Sequence, residues 1–234
     1  MLIDSHCHLS HMPKAVGGVA AICEQAASAN VHGMLTIATT PDALAAMQGD
    51  CAEQSYVWCA AGLHPEVVNA QRDSFALHLE LARRFDLPVI VHTRNAVEDT
   101  LELIRAHPGY RGVIHCFTED QRAADAFIAV DFLLSFSGIL TFRNADALRR
   151  VAADIDAQML LVETDPPYLA PVPMRGKSNQ AGLGCAHRGL SGRCARRVAR
   201  ADRAHDKCKF RTAVPGRRAA NLAVAVMRSS SSEP

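Results

Sequence analysis

The chain has 234 residues, about half of them hydrophobic, and a formal net charge of +1. That length suits one large domain, and the near-neutral total excludes a chain built as a polycation for nucleic acid. The charge is uneven: residues 1–180 hold 13 Lys/Arg and 21 Asp/Glu, whereas residues 181–234 hold 12 Lys/Arg and 3 Asp/Glu. Eight cysteines occur without a CxxC pair, so no disulfide framework is expected. Asp4, His6 and His8 interrupt the N-terminus, and no apolar run approaches the roughly 18 residues of a membrane span. A reducing, cytoplasmic setting is the expectation, with a monomer as default.

Short apolar runs alternate with helical stretches through residue 165. Strands are predicted at Met1–Ser5, Gly33–Ala38, Val57–Gly62, Pro88–His92, Gly112–Cys116, Phe132–Phe136 and Met159–Glu163. Several are near-continuous apolar runs, as in parallel strands buried on both faces. Helices are predicted at Val16–Ala29, Pro41–Gln54, Phe75–Phe85, Ala96–Ala106, Gln121–Val130 and Ala145–Ala153. The third carries Leu77, Leu81 and Phe85 at four-residue spacing, which predicts an apolar stripe. This alternation predicts an α/β fold of right-handed βαβ units, a TIM-type (β/α) barrel rather than an open dinucleotide-binding sheet, since no glycine-rich loop follows the first strand. Seven strands are recognisable, one short of a complete barrel. Beyond Ala181 no apolar period is sustained. Only Ala219–Met227 reads as a short helix, and the basic segment 181–234 is predicted to be a divergent, disordered tail after a barrel spanning 1–180.

The chemistry begins at Asp4-Ser5-His6-Cys7-His8. Residues two apart on a strand point to one side, so His6 and His8 can face a common metal from the carboxyl end of the first strand, where barrel active sites sit. His92 and His115 end two further apolar strands, and Asp165 ends Leu160-Leu161-Val162-Glu163-Thr164. Four histidines and an aspartate on one rim suit Zn²⁺, Mn²⁺ or Mg²⁺, one or two per chain. A divalent ion acidifies bound water from a pKa of about 15.7 towards 7, which makes hydrolysis the reaction class. His64, just before Pro65, is a candidate substrate contact, as is Arg94. Arg175 and Lys177 follow a proline-rich loop and offer cations to a phosphodiester.

The blocks DSHCHL, GLHP, PVIVHTR, GVIHCF, SFSGILTFRNA, LLVETDPPYLAPVP and RGKSNQ run in order from residue 4 to 180. Together they resemble the TatD-related deoxyribonucleases of the amidohydrolase superfamily. The resemblance implies a TIM barrel with a two-metal centre that cleaves phosphodiesters in DNA. It implies His6, His8 and Asp165 as ligands of one ion, His92 and His115 as ligands of the other, and Asp165 as the group that orients or deprotonates water. Glu163 and His64 would line the pocket, with Arg175 and Lys177 facing substrate.

The sequence departs from the family in two places. Between His64 and His92 the family has a further strand bearing a glutamate that bridges both metals; here the segment is missing, and neither Glu66 nor Asp73 is favoured as a substitute. After Gln180 the tail reads like a shifted reading frame. The missing strand is expected to expose two sheet edges, unless Val57–Gly62 and Pro88–His92 pair directly, and to consume much of a margin of about 5–15 kcal/mol. At most one tightly held metal is expected. The reading from another class is a non-catalytic remnant, or a nucleic-acid-binding protein using its basic tail.

Overall fold

The computed structural model describes residues 2–12, 17–38, 41–54, 56–62, 71–183 and 221–228. The first seven strands are β1 (Leu2–Cys7), β2 (Val31–Ala38), β3 (Val57–Gly62), β4 (Val89–Arg94), β5 (Gly112–His115), β6 (Phe132–Phe136) and β7 (Leu160–Val162). Between them lie α1 (Gly18–Ser28), α2 (Pro41–Glu53), α3 (Gln71–Arg84), α4 (Val97–Ala106), α5 (Gln121–Ile128) and α6 (Asp146–Asp154). All of these fall where apolar periodicity places them. At α5 the start is set by Asp120, whose carboxylate accepts the Ala123 N–H at 2.9 Å.

An eighth strand, β8 (Asn221–Arg228), comes from the basic tail. All strands are parallel, in the order β1-β2-β3-β8-β4-β5-β6-β7. Thus β8 lies between β3 and β4, with Val224 opposite Gly62 on one side and Ile90 on the other. Two expectations are corrected here. Ala219–Met227 does not form a helix: Leu222, Val224 and Val226 recur at period two, and the segment meets two open strand edges, so ladder pairing on both sides outweighs a short helix with no partner. Nor do β3 and β4 pair directly, because β8 occupies the slot. Residues 184–220 and the Ser229–Ser232 run lie outside the described residues.

The sheet is buried on both faces. Met34, Val57, Val89, Val91, Ile114, Phe132 and Leu134 pack beneath the helices, whereas Leu35, Ile37, Ala60 and Ile90 form a second, smaller cluster with Trp58 and Ile3. α3 presents Phe75, Leu79 and Ala82 to the core. The stripe of Leu77, Leu81 and Phe85 instead faces outward, at 53%, 37% and 60% exposure. Two interleaved apolar rows fit one helix, and the row holding Phe75 takes the buried side.

No ladder joins β1 to β7. Their ends are fastened by bonds that each involve only one or two groups: Ser5 Oγ donates to Val162 O at 3.0 Å, Asp165 N to His6 O at 3.0 Å, and His8 N to Pro166 O at 3.0 Å. Ser5 also bonds Ser135 of β6 at 2.9 Å. Among the described residues no helix is long and apolar enough to cross a membrane, and Cys7, Cys23, Cys51, Cys59 and Cys116 form no disulfide.

Because Val224 lies within the ladder on both sides, Val224→Pro removes a backbone donor from the sheet interior. The expected loss is about 2 kcal/mol, or about 4–8 °C in Tm for a chain of this size. Thermal melts of the full chain and the variant measure it; an unchanged Tm counts against β8 as part of the folded sheet.

Candidate metal centre

The carboxyl ends of β1, β5 and β7 converge. β1 delivers His6, with His8 one residue past its end; β5 delivers His115; the turn after β7 delivers Glu163, Thr164 and Asp165. The turn depends on backbone that few side chains adopt, with Asp165 at φ 58° and Cys116, just after β5, at φ 46°. Aspartate tolerates the left-handed region better than most residues, which suits its place at the turn. At Cys116 the same twist aims its N–H at Glu163 Oε1, 2.9 Å away. Gly138, after β6, lets the loop at Leu169 pass close by, since a Cβ there would meet the Leu169 carbonyl.

Asp4 was not singled out from sequence, yet it ties β1 to this turn. It is 1% exposed and accepts the Thr164 N–H at 2.9 Å, the Thr164 hydroxyl, and the His6 N–H at 3.3 Å. Burial pushes its carboxyl up from 3.8 to about 7, against the pull of these donors. Asn179 was also missed. Fully buried, it donates its amide to Thr164 O at 2.5 Å and Tyr168 O at 2.6 Å, fastening the segment that bears Arg175 and Lys177 to the turn. A lone Asp two residues before HxH, or an Asn in a loop, carries no periodic signal that would have revealed either.

His6 Nε2 stands 3.3 Å from His8 Nε2 and 3.9 Å from Asp165 Oδ1, and His8 Nε2 is 3.5 Å from the same oxygen. Donors at about 2.1 Å from one tetrahedral ion are about 3.4 Å apart, so this triangle fits a divalent cation. A second grouping joins His6, His115 and Glu163, and a third joins His115, Cys116 and Asp165, each with ligand atoms within 4.8 Å of one another. Nδ1 of His6, His8 and His115 and Oε2 of Glu163 are buried without a hydrogen-bond partner. Such groups are costly unless something compensates them, and a cation would compensate the carboxylate oxygen directly.

The protonation pattern agrees with a cation site. Burial, then the neighbouring His115, His8 and His92, hold His6 well below the usual imidazole range, leaving a lone pair available. Burial would also depress His115, but Glu163, Asp165 and Asp4 outweigh it and raise its pKa. The carboxylates thus pull His115 towards the positive charge that a cation would otherwise supply. The rings of His6 and His115 stack with centroids 3.5 Å apart, and His11 stacks on His8 at 4.9 Å.

The remaining candidates lie beside these groupings or away from them. His92 ends up level with His115 across the β4–β5 ladder, ring centroids 5.4 Å apart, and belongs to none of the three groupings among the described residues. Arg175 stacks over the Phe142 ring at 4.4 Å, and Lys177 is exposed on the same loop. Arg94 closes β4, and Asp73 is exposed on α3. His64 and Glu66 lie outside the described residues.

A parallel α/β sheet with histidines and an aspartate gathered at its carboxyl rim defines a metal-dependent hydrolase of the TIM-barrel type. The comparisons make that particular. The profile of the TatD related DNase family matches residues 3–74 and 66–183, and the chain belongs to that family. It is 37% identical to the Escherichia coli K12 protein described as an uncharacterized metal-dependent hydrolase YcfH, over 224 aligned positions covering 78% of this chain and 83% of YcfH. It is 29% identical to the uncharacterized metal-dependent hydrolase TatD of Mycobacterium tuberculosis, over 76% of this chain and 84% of that protein. The fold matches the crystal structure of YJJV, a TatD homologue from E. coli K12, with a TM-score of 0.72 at 21% identity, covering 91% of this chain and 97% of that one. It also matches a TatD family hydrolase from Entamoeba histolytica, TM-score 0.67 at 12% identity, over 89% and 98% of the two chains. The profile match splits at residues 66–74, where the sequence reading places the missing segment.

Asp4 gives a pH test on metal-free protein. Its folded pKa lies above the ordinary value, so it favours the fold below about pH 4, and that contribution decays as pH rises to about 7. Relative to Asp4→Asn, which cannot ionise, the unaltered chain should lose stability between pH 5 and pH 8. Urea midpoints of both at the two pH values read this; parallel pH dependence would contradict it.

Proposed function

We propose that this chain is a deoxyribonuclease, a metal-dependent phosphodiesterase acting on DNA, with His6, His8 and Asp165 as ligands of its principal ion. The triangle of 3.3–3.9 Å among their donor atoms carries the reading. A divalent ion bound there supplies Lewis-acid activation of water and neutralises phosphoryl charge.

The protein's own groups provide the rest. Asp165 Oδ is the acceptor for the proton of the attacking water; it is 8% exposed and its backbone is held by the bond from its N–H to His6 O. Arg175 and Lys177 bind substrate phosphates. Their loop is braced by Asn179, and the Arg175 guanidinium is preordered on Phe142. Tyr168, 53% exposed and edge-on to His8 and His11, offers a ring on which a terminal base can stack. His92 and His64 are proposed as further contacts at the rim, one to metal and one to substrate. The family profile's name supports DNA as the substrate class. The free thiols of Cys7, Cys23, Cys51, Cys59 and Cys116, the cysteines among the described residues, suit a reducing, cytoplasmic setting.

Purified chain incubated with DNA oligonucleotides and Mg²⁺, Mn²⁺ or Zn²⁺ in turn should release nucleotides, with chelator stopping the reaction. His6→Ala and Asp165→Ala should each lower the rate at least about 100-fold. Salt-sensitive binding without cleavage would replace this reading with that of a nucleic-acid-binding remnant.

Loss of Arg175 should act on binding. Arg175→Ala is expected to raise KM several-fold with kcat little changed, and to reduce the salt dependence of binding. A fall in kcat alone would place Arg175 in the chemical step instead.

A further inference from the structure

We propose that the hollow between the starts of α5 and α6 seats a base of the DNA substrate, and that Glu119 selects there for bases carrying an exocyclic amino group. This rests on the deoxyribonuclease reading and deepens it by adding a specificity contact apart from the metal donors.

Three observations support the assignment. The first is shape and place. The hollow has a volume of about 380 Å³, within the range of about 300–1,000 Å³ usual for small-molecule sites. Its walls come from the loops that follow β5 and β6, so it lies at the carboxyl end of the sheet, as His115 does. Ile139, Phe142 and Leu148 give it apolar surface suited to a flat aromatic ring. The second is the neighbouring Arg175 loop. Phe142 lines the hollow and also carries the Arg175 guanidinium over its ring at 4.4 Å, while Val172 N–H donates to Thr141 Oγ1 at 2.9 Å. A phosphate held by Arg175 therefore brings its attached nucleoside beside the hollow.

The third observation is charge. Glu119, Asp120 and Asn144 line the hollow, and no Lys or Arg does among the described residues. A phosphate would be repelled there, whereas a neutral ring with N–H donors would not. Neither carboxylate enters a metal-donor grouping among the described residues. Asp120 already accepts the Ala123 N–H. Glu119 is half-buried and makes no hydrogen bond among the described residues. Burial, then Asp120, raises its pKa, and an N–H donor would offset both by favouring the carboxylate. Adenine, cytosine and guanine each carry an amino group that a carboxylate can accept from. Thymine presents a carbonyl where cytosine presents its amino group, so two acceptors would meet.

Short single-stranded oligothymidylates carrying one dC, moved a position at a time along the strand, test this on the full chain with Mg²⁺ or Mn²⁺. The expected result is a kcat/KM about 10-fold higher when the dC occupies one particular position relative to the cleaved bond, with dA and dG giving the same gain. Glu119→Gln should reduce that gain to about 2-fold or less, at a Tm matching the unaltered chain. Equal kcat/KM for every placement in the unaltered chain overturns the proposal and leaves the deoxyribonuclease reading intact. A preference that Glu119→Gln retains does the same. Fluorescence anisotropy of the same strands in EDTA reads the hollow without cleavage. Tighter binding of the dC strands, lost in Glu119→Gln, by a chain that cleaves nothing refutes the deoxyribonuclease reading and leaves the base site standing. Equal binding of dC-bearing and all-dT strands by a chain that cleaves nothing overturns both.

Discussion

The seam between β1 and β7 is the constraint on which the site depends. No ladder closes it, so the two strand ends are held by buried side-chain and turn bonds: Asp4 to Thr164, Ser5 to Val162 and Ser135, and the Asp165 N–H to His6. Each is worth only about 1 kcal/mol net, but each buried group would cost more if left unpaired. The same residues lie between or beside the candidate metal donors. Fastening the seam therefore places His6 and His8 against Asp165.

The opposite side of the sheet solves a different problem. Without a strand between β3 and β4, two central edges would present unpaired backbone groups. β8 fills that slot in parallel with both neighbours, so a segment far along the chain supplies what the local sequence lacks. Such pairing depends on backbone more than on side-chain identity. A modest alternation of Ala, Leu and Val is enough where the edge is already formed. The resulting fold matches that of the TatD homologue YJJV.

At the rim, buried nitrogens and carboxylates outnumber the hydrogen bonds available to them. His6 is held neutral by burial and by the neighbouring histidines, whereas His115 is drawn towards protonation by Glu163, Asp165 and Asp4. Membership of a metal-dependent hydrolase family explains why such an arrangement persists: the unpaired groups are those a cation would use.

The sequence alone determined the β/α alternation, seven strands, six helices and the residue types at strand ends, because those signals are written within a few residues by apolar periodicity and by blocks such as DSHCHL and LLVETD. It also marked His6, His8 and Asp165, since a strand end followed by a ligand type is a local pattern. Only the tertiary structure decided which row of α3 faces the core, that Asn221–Arg228 is a strand, that Asp4 fastens the seam, and that Glu163 keeps an unpaired oxygen. These outcomes depend on which edges, hollows and polar groups from distant segments remain unsatisfied once the chain has packed, and no short stretch of residues contains that information.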